Sequence, residues 1–214
     1  GHTLKELSKE LQVDFRKECT VLSKTGYISD TDMPPDMGEV HNHRLFSLKK
    51  LNIHDTDTFY SLEPGNIAEQ LEISLEALQT DYLDGYLLHN PEHYVQYAKT
   101  DPNAPSLEDK LFAAFEALEA SVVDHQIQAY GISSNWLSLP DMDKEMIYDQ
   151  WLQISKEAHL KVTGEPGSHF KYVQFPANLL ETHSLNHIAP WAKKNGLTTV
   201  VNRFVSLLTF VFTL

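Results

Sequence analysis

The sequence has little of several features that define large classes of proteins. Cysteine occurs once among 214 residues, as Cys19. No disulfide can therefore form within the chain, and a zinc site built on several thiolates is excluded. We expect a reducing, cytoplasmic environment.

Basic residues are also scarce, because 17 Lys and Arg stand against 30 Asp and Glu, for a formal net charge of −13. Such an acidic surface repels phosphate backbones, so nucleic acid is not an expected partner.

Long apolar runs are missing as well. The longest one is FVSLLTFVFTL at residues 204–214, and its eleven residues fall far short of the roughly 20 that a transmembrane helix needs. We interpret it as a buried strand with an apolar extension, with a tail anchor as the weaker alternative, and expect no membrane partner. The first residues, GHTLKELSKEL, are charged and amphipathic and do not resemble a signal peptide.

Two nucleotide-binding motifs are absent. No GxGxxG follows any strand-like run, which weakens the interpretation as a dinucleotide-binding open sheet, and no GxxxxGK[ST] occurs, which excludes a phosphate-binding loop of that type. A nucleotide site in this chain would have to be built in another way.

The residues that are present alternate between strand-like and helix-like patterns. Short runs rich in Val, Ile, Leu and Tyr predict five strands at 20–24, 83–89, 127–133, 171–176 and 197–202. Helical spacing of apolar residues predicts helices at 1–13, 64–79, 106–123, 139–160 (one or two helices) and 184–195. This alternation is typical of a parallel α/β protein, either a doubly wound sheet or a (β/α)8 barrel.

Residues 29–62 interrupt the alternation and are predicted to form a long loop or insertion. The segment contains Pro34, Pro35 and Gly38 among many polar residues. Its histidines His41, His43 and His54 lie in a segment with nothing to fix their geometry. We therefore predict no metal site from them.

Polar side chains end four of the predicted strands. Lys24, His89 and Gln174 each come at or near the end of an apolar run, as do Ser133 and Ser134 after AYGI. In (β/α)8 barrels the chemistry comes from the carboxyl ends of the strands. One shared mouth explains all these positions, so the pattern favours a barrel over an open sheet.

At these residues the sequence resembles the aldo-keto reductase family. The segment 67–92, IAEQLEISLEALQTDYLDGYLLHNPE, is similar to the family's helix and strand that end in a catalytic histidine. VLSKTGY (21–27) resembles the strand with the catalytic lysine, and AYGISSN (129–135) and YVQFPANLLE (172–181) resemble strands that hold the nicotinamide carboxamide. The resemblance implies a partial (β/α)8 TIM barrel with about five parallel strands and helices outside them.

The resemblance also implies a function. Members of the family reduce a carbonyl to an alcohol, or the reverse, with NADPH, using an Asp, a Tyr, a Lys and a His. The lysine carries over to Lys24, which would lower the pKa of the proton-donating Tyr, and the histidine to His89, which would orient the carbonyl. The cofactor-binding residues implied in this chain are Ser133, Ser134, Asn135 and Gln174. The partner would be a small carbonyl or alcohol.

Both ends depart from the family pattern. The family's Asp and Tyr would precede Gly1, and the aromatic residue that stacks on the nicotinamide would fall near Asn202. We expect a barrel part at 1–203 that is truncated at both ends, followed by the unrelated tail at 204–214. Turnover by this chain is expected to be weak or absent. The alternative is a non-catalytic, barrel-like binding module or pseudoenzyme fragment.

Overall fold

Helices and strands alternate along the computed structural model, which describes residues 4–12, 15–29, 49–53 and 56–203. Its strands are β1 (Leu22–Thr25), β2 (Tyr27–Ser29), β3 (Lys49–Ile53), β4 (Thr56–Tyr60), β5 (Gly85–His89), β6 (Tyr130–Ser133), β7 (Phe170–Pro176) and β8 (Thr198–Asn202). Its α-helices are α1 (Leu4–Leu11), α2 (Phe15–Glu18), α3 (Pro64–Leu78), α4 (Glu92–Ala98), α5 (Leu107–Val123), α6 (Met142–Glu145), α7 (Trp151–Thr163), α8 (His183–Asn186) and α9 (Ile188–Lys194), with a 3₁₀ helix at Trp136–Ser138.

Five strands form one parallel sheet in the order β1-β5-β6-β7-β8. Each strand lies beside the next one of this sheet along the chain, and helices connect them. This progression in one direction is that of a barrel, whereas a doubly wound sheet reverses its strand order. The prediction of an α/β fold with five parallel strands and helices outside them is confirmed.

The core lies between the outer face of this sheet and the helices. Successive residues of a strand point to opposite faces, and the residues directed outward are apolar and buried: Tyr86, Leu88, Tyr130, Ile132, Val173 and Phe175. They pack against helix residues such as Leu71, Phe115 and Trp151, which are also fully buried. Burying each such side chain stabilises the fold by roughly 1.5–3 kcal/mol.

The inner face of the sheet carries a smaller apolar cluster of Leu87, Ala129 and Tyr172. The ring of Tyr172 covers Gly85, and a Cβ at Gly131 would lie 1.9 Å from the Tyr172 carbonyl oxygen. Neighbouring strands approach so closely here that only glycine fits at position 131.

Helix α5 begins as its sequence indicates. The Ser106 hydroxyl accepts a hydrogen bond from the Asp109 main-chain N–H at 3.0 Å, and the Asp109 carboxylate accepts one from the Ser106 main-chain N–H at 3.3 Å. This reciprocal pair is a capping box, which satisfies two N–H groups that the first turn of a helix leaves without partners.

The segment 29–62, predicted as a long loop or insertion, contains strands that were not predicted. β3 and β4 form an antiparallel hairpin, and β2 pairs with β4 to complete a second sheet in the order β2-β4-β3. The β-branched and aromatic residues of TDTFY (56–60) favour a strand, although polar residues and prolines dominate the segment as a whole. Residues 30–48 and 54–55 of the segment, which include His41, His43 and His54, lie outside the described residues.

The structure specifies one helical prediction and adds one helix. The segment predicted as one or two helices at 139–160 forms two, α6 and α7, and α4 appears where no helix was predicted. Among the described residues, no helix is long and apolar enough to cross a membrane. The apolar segment 204–214 lies outside the described residues.

Candidate active site at the carboxyl end of the sheet

Strand register brings four of the predicted site residues, Lys24, His89, Ser133 and Gln174, to the carboxyl end of the sheet. We call this edge of the inner face the rim. His89 of β5 pairs with Ser133 of β6, and Ser133 pairs with Gln174 of β7. Lys24 of β1 pairs with Leu87, two residues before His89. Because side chains alternate between the faces of a strand, this register places all four side chains on the inner face at the carboxyl end.

Hydrogen bonds link three of these side chains across the rim. The Lys24 Nζ donates to the Ser133 Oγ at 3.5 Å, and the Ser133 Oγ donates to the Gln174 Oε1 at 2.8 Å. Ser133 is 2% exposed and Gln174 is 9% exposed. A cation, a hydroxyl and an amide therefore stand in a partly desolvated row, where electrostatic interactions are stronger than in water.

The surroundings of the rim shift two pKa values downward. Burial lowers the pKa of Lys24. Burial, the positive charge of Lys24 and the nearby His93 together lower the pKa of His89 to about 4. His89 is therefore neutral near pH 7, with one ring nitrogen that donates a hydrogen bond and one that accepts.

Ser134 and Asn135 do not join this row. The Ser134 hydroxyl donates to Glu92 Oε2 at 2.8 Å, and the Asn135 main-chain N–H donates to Glu92 Oε1 at 3.0 Å. The Asn135 Oδ1 accepts a hydrogen bond from Arg203 at 2.9 Å. Because Ser134 follows Ser133 directly, strand alternation directs it away from the inner face.

A family model for the aldo/keto reductase family matches residues 3–206. The chain belongs to the aldo/keto reductase family. A search of curated proteins found no match. Among solved structures, the chain is similar to an aldo-keto reductase of Bacillus halodurans in its holo form, with 18% identity, a TM-score of 0.55, and 92% of this chain and 46% of that chain covered.

Two other solved structures match this chain with lower TM-scores. A glycerol dehydrogenase of Gluconobacter oxydans has 19% identity and a TM-score of 0.46, with 73% of this chain and 38% of that chain covered. An aldo/keto reductase of Klebsiella pneumoniae in complex with NADP and acetate has 21% identity and a TM-score of 0.40, with 66% and 38% covered. The chain spans less than half the length of these proteins.

Two features near the carboxyl end of the sheet were not predicted from the sequence. Glu92 is 3% exposed, and burial raises its pKa while the hydrogen bonds from Ser134 and Asn135 oppose that rise. Tyr27 lies with its ring edge against the His89 ring, at 4.9 Å between centroids. Tyr27 stands in the motif VLSKTGY, three residues after Lys24, but its spacing alone does not show that it reaches His89.

The Tyr27 hydroxyl is held on two sides. It accepts a hydrogen bond from Asn90 Nδ2 at 2.7 Å and pairs with His93 Nε2 at 2.6 Å. Burial raises the pKa of Tyr27, an effect that the Asn90 hydrogen bond opposes. The phenol therefore keeps its proton at neutral pH.

Gln70 of α3 fixes the backbone that connects Lys24 to Tyr27. Its Oε1 accepts hydrogen bonds from the Gly26 N–H at 2.9 Å and from the Thr25 hydroxyl, and its Nε2 donates to the Tyr27 carbonyl at 2.7 Å. Gly26 has φ +135°, and a Cβ there would lie 2.9 Å from the Tyr60 ring. One helix side chain and one glycine thus set where the lysine and the phenol lie.

Proposed function

We propose that this rim holds the nicotinamide of NADPH and that the chain derives from an oxidoreductase that reduces an aldehyde, ketone or sugar carbonyl to an alcohol, or catalyses the reverse reaction. The observation that carries the proposal is the row of Lys24, His89, Ser133 and Gln174 on one face, at the carboxyl ends of four adjacent strands. Active sites of (β/α)8 barrels lie at this end.

The donors and acceptors at the rim fit the carboxamide of a nicotinamide. A carboxamide offers two N–H donors and one carbonyl acceptor, while Ser133 and Gln174 offer a hydroxyl and a side-chain amide. On the neighbouring strand, the buried Oδ1 of Asn202 has no hydrogen-bond partner among the described residues. A buried acceptor without a donor is unfavourable, and a carboxamide N–H would satisfy it.

The other two side chains suit a carbonyl substrate. When bound, reduced nicotinamide supplies a hydride to the carbonyl carbon, and negative charge then develops on the carbonyl oxygen. The Lys24 ammonium places positive charge at the rim, and neutral His89 can donate a hydrogen bond to that oxygen. Groups fixed in advance around a developing charge stabilise it without reorganising.

Donation of a proton to the carbonyl oxygen, which completes the alcohol, is the step that we expect to limit turnover. Tyr27 places a phenol at the rim, but burial raises its pKa, so it gives up its proton less readily than an ordinary phenol. General acids work best when their pKa lies near the working pH. We therefore expect slow turnover by this chain, and the same observation favours the second candidate function, a module that binds the nucleotide without catalysis.

The proposal extends to the class of substrate, and the cysteine content bears on the compartment. We infer a small carbonyl or alcohol as the partner at the inner face. A single cysteine in the chain is the reason to expect the reducing conditions of the cytoplasm.

A titration of NADPH with the protein, in which binding is measured as a change in NADPH fluorescence, tests the proposal. Ser133→Ala and Gln174→Ala are each expected to weaken NADPH binding about fivefold, the effect of losing roughly 1 kcal/mol of hydrogen bonding. Gln153→Ala, at an exposed position on α7, is the matched control and should leave binding unchanged.

Turnover of a generic aldehyde, followed by NADPH absorbance, separates the two candidate functions. Turnover that falls in Lys24→Met and His89→Ala supports the oxidoreductase, whereas binding without turnover supports the binding module. Failure of the unaltered chain to bind NADPH at high protein concentration would contradict both.

A further inference from the structure

A second cluster of polar side chains lies at the opposite, amino end of the sheet. Its centre is Glu119 of α5, whose side chain is fully buried. His159 comes from α7, and His169 comes from the residue directly before β7. Three separate segments therefore converge on one carboxylate, far along the strands from the rim that we propose to hold the nicotinamide.

The two oxygens of Glu119 have partners of different kinds. The Oε2 has the Nδ1 atoms of His159 and His169 at 2.9 and 2.7 Å. The Oε1 accepts hydrogen bonds from the Tyr130 hydroxyl at 2.9 Å and from the His169 main-chain N–H at 3.0 Å. One oxygen thus faces two groups that ligate metals, while the other is held by groups that orient the carboxylate.

We propose that Glu119, His159 and His169 form a Zn²⁺ site. One carboxylate oxygen and two imidazole nitrogens, all within 4.8 Å of one another, are a donor set that zinc binds. The hydrogen bonds to Oε1 would act as the outer contacts that commonly fix a metal-ligating carboxylate. The net charge of −13 also favours a bound cation.

The geometry requires a small adjustment. Ligand bonds of about 2.0–2.1 Å in a tetrahedral zinc site place ligand atoms about 3.3 Å apart. The imidazole nitrogens lie closer than this to Oε2, so each ring has to move outward by about half an ångström. His169 precedes its strand and its side chain is 39% exposed, so it has room to move. The exposed side of His169 is the side from which an ion would reach Glu119.

The role of such a site is structural. The ion would join α5, α7 and the start of β7 at the amino end of the sheet, where residues of (β/α)8 barrels serve stability. This inference does not depend on nucleotide binding or turnover, so it stands or falls separately from the proposed function.

The full-length chain, stripped with a chelator and exchanged into metal-free buffer, is titrated with Zn²⁺ by calorimetry and with Co²⁺ by visible absorption. We expect one ion per chain and a Co²⁺ spectrum of low-coordinate nitrogen and oxygen ligation. His169→Ala should weaken Zn²⁺ binding at least tenfold and abolish the rise in unfolding temperature that Zn²⁺ produces in the unaltered chain. His169→Gln, which keeps a hydrogen-bond donor for Glu119, should also bind Zn²⁺ at least tenfold more weakly.

Two controls identify the site. His125→Ala removes an exposed histidine near the end of α5 and should not change binding. The triple variant His41→Gln, His43→Gln, His54→Gln removes the histidines of the 29–62 segment and should retain binding. The proposal is overturned if the unaltered chain binds no ion, if both His169 variants bind as tightly as the unaltered chain, or if the triple variant loses binding.

Discussion

The two ends of the parallel sheet use polar side chains in different ways. At the carboxyl end, Lys24 is only half-buried, and its ammonium reaches Ser133 at 3.5 Å. At the amino end, Glu119 is fully buried, and its carboxylate takes part in four hydrogen bonds between 2.7 and 3.0 Å. The first arrangement leaves the inner face open to another molecule, whereas in the second the side chains hold one another, and the proposed Zn²⁺ would enter between Glu119 and the two imidazoles.

This difference reflects which elements supply the side chains. The carboxyl-end residues come from neighbouring strands and share the inner face, which they leave available for a ligand. The amino-end residues come from two helices and a loop on the outer side of the sheet, where the core lies. We therefore expect substitutions at the amino end to reduce stability and Zn²⁺ binding, and substitutions at the carboxyl end to reduce NADPH binding.

The largest expected effect on stability is that of Glu119→Gln. The amide places an N–H₂ where Oε1 or Oε2 now accepts hydrogen bonds, and it removes a buried negative charge that two imidazoles face. Hydrogen bonds to a charged group contribute about 1.5–3 kcal/mol each, so we expect the free energy of unfolding to fall by about 3 kcal/mol. Urea unfolding in the presence of a chelator measures this loss without a contribution from metal.

Glu116→Gln is the matched control on the same helix. Its carboxylate pairs with Lys161 at 2.7 Å, but the Lys161 side chain is 60% exposed. Exposed ion pairs contribute about 0–1 kcal/mol. Equal losses of unfolding free energy in the two variants would show that the contacts of Glu119 with the histidines stabilise the fold no more than an exposed ion pair does.

The carboxyl end could be predicted from the sequence because its residues stand at the ends of apolar runs. The proximity of Lys24, His89 and Gln174 follows once the carboxyl ends of the parallel strands are assumed to meet at one edge. The sequence does not show which of Ser133 and Ser134 faces inward, because either serine could lie on the inner face of the strand. The register of β6 against β5, with Ser133 opposite His89, decides it.

The amino end could not be predicted in the same way. Glu119 lies 40 residues from His159 and 50 from His169, and no local pattern relates these positions. Their meeting depends on how α5 packs on α7, which tertiary contacts determine. The strands at 49–53 and 56–60 were missed for a related reason, because pairing with β2 completes a sheet that the polar sequence around them does not indicate.

Acid is expected to destabilise the carboxyl end of the sheet through His89. The pKa of His89 is lowered from 6.5 to about 4, so between these values the unfolded chain binds a proton that the folded chain does not. The free energy of unfolding therefore falls as the pH falls from 6.5 to 4. Lys24 of β1 and His93 of α4 oppose the protonated form, and the neutral ring of Tyr27 packs beside it.

Urea midpoints at pH 7, 5.5 and 4 measure this contribution. We expect the midpoint of the unaltered chain to fall with pH, and that of His89→Gln to fall less, because the variant has no group that titrates at this position. His125→Gln, at an exposed position, should follow the unaltered chain. Identical pH profiles for the unaltered chain and His89→Gln would show that the rim does not disfavour the charged imidazole.

The smallest expected effect is that of Ser106→Ala at the start of α5, the helix that carries Glu119. The substitution removes the hydroxyl half of the capping box and leaves the Asp109 N–H to water. Because this end of the helix is exposed, we expect a loss of about 1 kcal/mol in the free energy of unfolding, with Zn²⁺ and NADPH binding unchanged. A loss as large as that in Glu119→Gln would mean that formation of α5 itself, rather than the enclosed carboxylate near its end, determines the stability of the amino end.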